Sequence, residues 1–215
     1  MPPVLENEFQ YNTIAAPSTG DYREKGSKFL AYAFPITSQN DIKEKIDFLK
    51  KEHPKSRHVC FAYRLGLGKL IFRANDDGEP SGTAGKPILG QIDSFGLTSV
   101  LVAVVRYFGG KKLGASGLVH AYKTSAADAL SSAVIIEKEE ASFFKVVCSY
   151  EKMNDVVTIL KSSPINIATQ HFDNDCSFEI EVPKSVVDSI LDKLNKVSST
   201  KKISLIEQNN SAADT

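Results

Sequence analysis

Cys176, Phe178, Ile180 and Val182 alternate with Ser177, Glu179 and Glu181, the period-two pattern of a half-buried strand. Phe144, Val146, Cys148 and Tyr150 alternate in the same way. Met153, Val156, Val157 and Leu160 follow at helical spacing, and Ile165 and Ile167 open a further strand. Asp173-Asn174-Asp175 is turn chemistry. Val186, Val187, Ile190, Leu191 and Leu194 mark a second helix, and Ile203 and Leu205 a last strand. The order β-α-β-β-α-β predicts a ferredoxin-like split βαβ domain over 139–208. The polar segment 209–215 is expected to be a disordered tail.

The pattern before residue 139 is less regular. Lys28 to Ile36 reads as a strand, and Ser38 is placed to cap a helix that carries Ile42, Ile46 and Leu49 on one face. His58 to Arg64 and Lys69 to Phe72 read as a hairpin around Gly66-Leu67-Gly68. A loop rich in acids and glycine runs from Asn75 to Gly85, with a helix starting near Pro87. Leu97 to Tyr107 is a long apolar strand, and the turn Gly109 to Gly114 leads into a helix through about Val134. All 13 glycines lie between Gly20 and Gly117. This asymmetry and the charged run Glu137-Lys138-Glu139-Glu140 place a domain boundary at 138/139. The fold class is therefore α+β with two domains, 1–138 and 139–208.

Net charge over the 215 residues is zero, but residues 1–138 carry +4 and residues 139–215 carry −4. A strongly basic nucleic-acid binder shows more excess charge, so contact with RNA has to come from a local patch. No apolar run reaches the ~18 residues of a membrane span, and the N-terminus lacks the pattern of a secretory signal. Cys60, Cys148 and Cys176 form no CxxC pair and read as buried thiols, which fits a reducing, cytoplasmic compartment.

Two segments carry the candidate chemistry. Asp76-Asp77-Gly78-Glu79-Pro80-Ser81-Gly82-Thr83-Ala84-Gly85-Lys86-Pro87 and Arg106-Tyr107-Phe108-Gly109-Gly110-Lys111-Lys112-Leu113-Gly114-Ala115-Ser116-Gly117 are both glycine-rich turns that enter helices. Helix N-termini offer unpaired N–H groups and positive dipole charge. Lys86, Arg106, Lys111 and Lys112 add charge, so an anion site is expected with Gly82, Thr83, Gly85, Gly109, Gly110, Gly114 and Ser116 around it. Pro80 and Pro87 stand where a nucleotide-binding P-loop needs glycine and a hydroxyl residue. Asp76, Asp77 and Glu79 are a possible acidic site, although turn capping and lysine pairing explain them more simply. His58 and Cys60 share a strand face but do not make a metal site by themselves. No metal, cofactor or catalytic residue is expected.

The strings DDGEPSGTAGKPIL and VVRYFGGKKLGASGLVHAY, with the earlier SRHVCFAYR, resemble the signature of the IMPACT/YigZ family from about Gly20 to Val134. His58 and Tyr107 belong to these motifs. The resemblance implies a first domain similar to domain IV of elongation factor G, a ribosomal-protein-like βαβ fold, and a ferredoxin-like second domain similar to its domain V. It also implies a translation-linked regulatory or binding role without catalysis, touching RNA, the ribosome or a translation factor. Eukaryotic members act in translation control through an extra N-terminal RWD domain. Only about twenty residues precede the matching region here, so that domain is expected to be absent. Two alternatives stand beside this reading: an enzyme or sensor for a phosphorylated small molecule or peptide at the glycine turns, and a protein–protein adaptor. Neither a membrane partner nor DNA specificity is implied.

Overall fold

The strand Val100–Tyr107 is buried on both faces, and this explains its continuous apolar run. A strand covered by helices on both sides has no solvent face on which to alternate. The structure, a computed structural model, describes residues 8–197 and 200–206. It is a two-part α+β fold, one unit holding residues 11–138 and the other residues 139–206 with 8–10.

Residues 10–139, which make up the first unit apart from Gln10 and Glu139, contain β1 (Gln10–Ile14), β2 (Ser18–Glu24), β3 (Ser27–Pro35), α1 (Gln39–Glu52), β4 (His58–Leu65), β5 (Ile71–Asn75), α2 (Gly85–Ser94), β6 (Val100–Tyr107), α3 (Gly114–Ser131) and β7 (Ile135–Glu139). Five strands form an antiparallel sheet in the order β2-β3-β6-β4-β5, while β1 pairs with β7. The connection β3-α1-β4 encloses β6, a split βαβ arrangement.

Strand alternation sorts the core into two layers. Ala31, Ala33, Cys60, Ala62, Val102 and Val104 pack under Ile88 and Ile92 of α2 and Leu118, Tyr122 and Ala126 of α3. Phe34, Val59, Tyr63, Leu101, Ala103 and Val105 pack against Ile42, Ile46 and Leu49 of α1. Each fully buried large aliphatic side chain contributes about 1.5–3 kcal/mol. Ser38 caps α1 as expected, in a reciprocal capping box with Asp41.

The second unit contains β8 (Ala141–Cys148), α4 (Met153–Lys161), β9 (Asn166–Phe172), β10 (Cys176–Pro183), α5 (Val187–Lys196) and β11 (Thr200–Ile206). Its antiparallel sheet has the order β11-β8-β10-β9, the ferredoxin-like topology. Val156 and Leu160 of α4 and Ile190 and Leu194 of α5 cover Val146, Phe178 and Ile180. No helix among the described residues is long and apolar enough to cross a membrane.

Several elements differ from the sequence pattern. The strand β2 is not legible as one, because STGDYRE mixes turn formers with charges. It is held on one side by β3 and on the other by α3: Ser18 Oγ donates to Ala129 O at 2.7 Å, and Asp128 Oδ2 accepts from Asp21 N–H at 2.9 Å. The strand over 97–107 begins only at Val100, since Leu97 is a buried bridge partner of Asn12. The charged run 137–140 is mostly strand, paired through β7 with β1. The expected tail 209–215 lies outside the described residues.

Candidate functional site at one end of the first sheet

The start of β4, the start of β3, the end of β6 and the end of β5 meet at one end of the five-stranded sheet. Register sets Phe29, Arg106 and His58 in one row across β3, β6 and β4. Their parity places them on the face covered by α2 and α3. Loop 76–84 and turn 108–113 both leave from this end.

The first loop is organised by its own carboxylate. Asp76 Oδ1 accepts from Ala84 N–H at 3.0 Å and Gly85 N–H at 2.9 Å, and Oδ2 accepts from Gly82 N–H at 2.8 Å. The side chain therefore occupies the place an external anion would take at the α2 N-terminus. Burial raises its pKa, but the three N–H donors and nearby Lys86 outweigh burial and hold the carboxyl below its ordinary range. Thr83 Oγ1 donates to Pro80 O at 2.6 Å and so tightens the same loop. A Cβ on Gly85 would lie 2.5 Å from Asn75 N, so only glycine lets α2 start against the end of β5.

Asp77 also has local work. Its Oδ2 accepts from Val59 N–H at 2.7 Å, and its carbonyl lies 2.7 Å from His58 Nδ1. A carbonyl only accepts, so Nδ1 carries a proton and Nε2 is the nitrogen turned toward Glu79, 4.0 Å away. The three acids thus serve three purposes, and among the described residues no group of three or more ligand-type side chains is placed to hold a metal.

Glu79 and Arg106 form the centre. Their side chains are 4% and 6% exposed, and Arg106 Nη1 meets Glu79 Oε1 at 2.5 Å. Tyr122 of α3 donates its hydroxyl to the same oxygen at 2.9 Å. The Cys60 thiol stands 3.3 Å from the Tyr122 hydroxyl. The guanidinium lies over the rings of Phe29 and Phe108, at 5.3 and 5.6 Å from their centroids. Burial drives the Cys60 thiol and the Tyr122 phenol far above their usual ranges. Both stay protonated, as hydrogen-bond donors rather than a nucleophile and a base.

The second turn is different in character. Gly109 packs so closely on the β2–β3 turn that a Cβ would lie 1.9 Å from Gly26 C, and its N–H donates to Ser27 Oγ at 3.1 Å. Phe108 is 45% exposed, and Gly110, Lys111, Lys112, Gly114 and Ser116 are exposed. Leu113 at the N-cap of α3 gives no side-chain hydrogen bond. The first turn of α3 carries no acidic residue, whereas Asp76 closes the α2 N-terminus.

Of the residues singled out from sequence, His58, Glu79 and Arg106 converge. Arg106 is a buried structural cation, however, and not a free one. Lys86, Lys111 and Lys112 are exposed, and Lys25 of the β2–β3 turn and Arg57 before β4 add exposed charge at the same end. Tyr107 belongs to the opposite face, where its hydroxyl lies 2.9 Å from His53 Nδ1. Tyr122 went unnoticed. Its signal is a large aromatic hydroxyl on the otherwise small-residue core face of α3, which needs a partner when buried.

Residues 25–130 match the family described as the Impact N-terminal domain. The chain is 30% identical over 191 residues to the IMPACT family member YvyE of Bacillus subtilis, covering 89% of this chain and 88% of that protein. It is 34% identical over 150 residues to the IMPACT family member YigZ of Escherichia coli, covering 68% and 72%. A solved structure described as that of a hypothetical protein is 28% identical and superposes with a TM-score of 0.70, covering 93% of this chain and 98% of that one. With this length of match, and with the family's motifs gathered at one end of one sheet, the chain belongs to the IMPACT family.

Proposed function

We propose that this protein is a translation-linked regulatory or binding protein that contacts RNA, and through it the ribosome, with the turn 108–114 of its first unit. The observation that carries this reading is the pairing of an exposed aromatic, Phe108, with Lys111 and Lys112 at a helix N-terminus that has no side-chain cap. Backbone donors, mobile positive charge and a ring free to stack on an unpaired base are the components of sequence-tolerant single-strand recognition. Family membership supports the translation link. Glu79, Arg106 and Tyr122 hold the turn in place from beneath, since Phe108 rests on the Arg106 guanidinium.

Co-sedimentation with ribosomes and with an RNA oligomer at two salt concentrations tests the proposal. Binding to phosphates releases counterions, so recovery falls steeply as salt rises. A Lys86→Ala/Lys111→Ala/Lys112→Ala variant removes exposed charge without touching the buried pair and is expected to lose the low-salt binding. Phe108→Ala is expected to weaken it by about 1–3 kcal/mol per stacked base. Equal recovery of wild type and triple variant at low salt would refute the reading. It would favour instead a protein–protein adaptor, or a site for a phosphorylated small molecule.

A further inference from the structure

Cys148 and Cys176 stand directly opposite each other on the two central strands of the second unit. Cys148 ends β8, Cys176 begins β10, and the antiparallel register pairs them Cα to Cα. Opposed residues on antiparallel strands have Cα atoms about 4.5 or 5.5 Å apart, depending on the kind of pair. Disulfides take Cα separations of roughly 4.4–6.8 Å, a range that includes both. Both side chains lie in the same core layer with Val146 and Phe178. All three cysteines of the chain are free thiols here. Cys60 differs from the other two in its surroundings, a tyrosine hydroxyl and a backbone carbonyl.

We propose that Cys148 and Cys176 are a thiol–disulfide site, converted by a small-molecule disulfide of the glutathione class into a cross-strand disulfide. The Cys148 thiolate attacks one sulfur of the oxidised reagent, and one thiolate leaves. The Cys176 thiolate then attacks the Cys148 sulfur of the mixed disulfide, the protein S–S bond forms, and the second reagent thiolate leaves. The two protons released by the cysteines end on the two reduced reagent molecules, and the two electrons go with them. Access comes from position. Both residues occupy terminal ladder positions beside the exposed Asp173–Asn174 turn, and ladder ends open at lower free energy than strand centres. Burial keeps the Cys148 thiol above its ordinary pKa, so the reaction is slow and selective rather than indiscriminate. The bond closes a loop that holds α4 and β9, and cross-linking constrains the unfolded chain.

The test uses the full chain in a buffer of oxidised and reduced glutathione, followed by acid quench, alkylation, digestion and mass spectrometry. The expected product has lost two hydrogens, shows Cys148 joined to Cys176 with Cys60 alkylated, melts at a higher temperature than the reduced form, and returns to the thiol form under excess reductant. A Cys176→Ser variant is expected to accumulate glutathione on Cys148, because the resolving thiol is gone. Three alkylated cysteines after prolonged oxidation, a stable glutathione adduct on the wild type, or a bond involving Cys60 would each overturn the proposal.

Discussion

Replacing Arg106 by methionine tests whether the site is built on a buried charge pair. Methionine keeps an aliphatic stem beside Phe29 and Phe108 but leaves the Glu79 carboxylate, 4% exposed, with the Tyr122 hydroxyl as its one hydrogen-bond partner among the described residues and His58 Nε2 4.0 Å away. Removing one partner of a buried pair costs about 3–5 kcal/mol, because a charge is left without compensation. With a urea m-value of about 2 kcal/mol/M, a loss of about 4 kcal/mol lowers the unfolding midpoint by about 2 M. Glu79→Gln together with Arg106→Met removes both charges and keeps an acceptor for Tyr122. The double variant is expected to be more stable than Arg106→Met by at least about 2 kcal/mol. Tyrosine fluorescence reads the transition cleanly, since Tyr11, Tyr22, Tyr32, Tyr63, Tyr107 and Tyr122 lie in 11–138 and only Tyr150 lies outside. A midpoint for Arg106→Met within about 0.5 M of wild type, equivalent to about 1 kcal/mol, would refute the reasoning. A double variant weaker than both single ones would do the same.

Asp76→Asn removes the anionic acceptor of three loop N–H groups and is expected to cost about 1–2 kcal/mol. Because the folded carboxyl titrates below the unfolded value near 3.8, its contribution is full above that pH and disappears as pH falls through the folded pKa. Acid denaturation of Asp76→Asn, compared with wild type from pH 6 down to about pH 2, should lack that component. Gly109→Ala is expected to destabilise by about 1–3 kcal/mol or more, since its Cβ would enter the Gly26 backbone. Gly110→Ala, with open space but φ of +84°, should cost only about 1 kcal/mol; equal losses in thermal unfolding would contradict this. If 1–138 and 139–208 are separate domains, calorimetry should resolve two transitions, and Arg106→Met should move only the one that tyrosine fluorescence follows.

Much of the architecture is legible in the sequence. Alternation at 176–182 and 144–148, with helical spacing between, is a one-face pattern that admits few readings, and the ferredoxin-like topology follows from it; Tyr150, which continues the alternation in the sequence, lies beyond the strand in an exposed 3-10 turn. The capping box at Ser38 is equally local, since its bonds run between residues three apart. What depended on distant residues was not legible. STGDYRE becomes a strand only because β3 and α3 hold it from two sides. The roles of the charged motif residues were hidden for the same reason. Arg106 looked like part of an anion site and Asp76 like part of an acidic one, but the N–H groups at the α2 N-terminus take the nearest carboxylate, and the chain supplies it in Asp76. Arg106 finds Glu79 twenty-seven positions away, and Tyr122 reaches that same carboxylate from a third element. Spacing along the chain carries no information about which side chains share a buried pocket. Strand register and helix docking decide that, because a charge withdrawn from water must meet its counter-charge at hydrogen-bond distance.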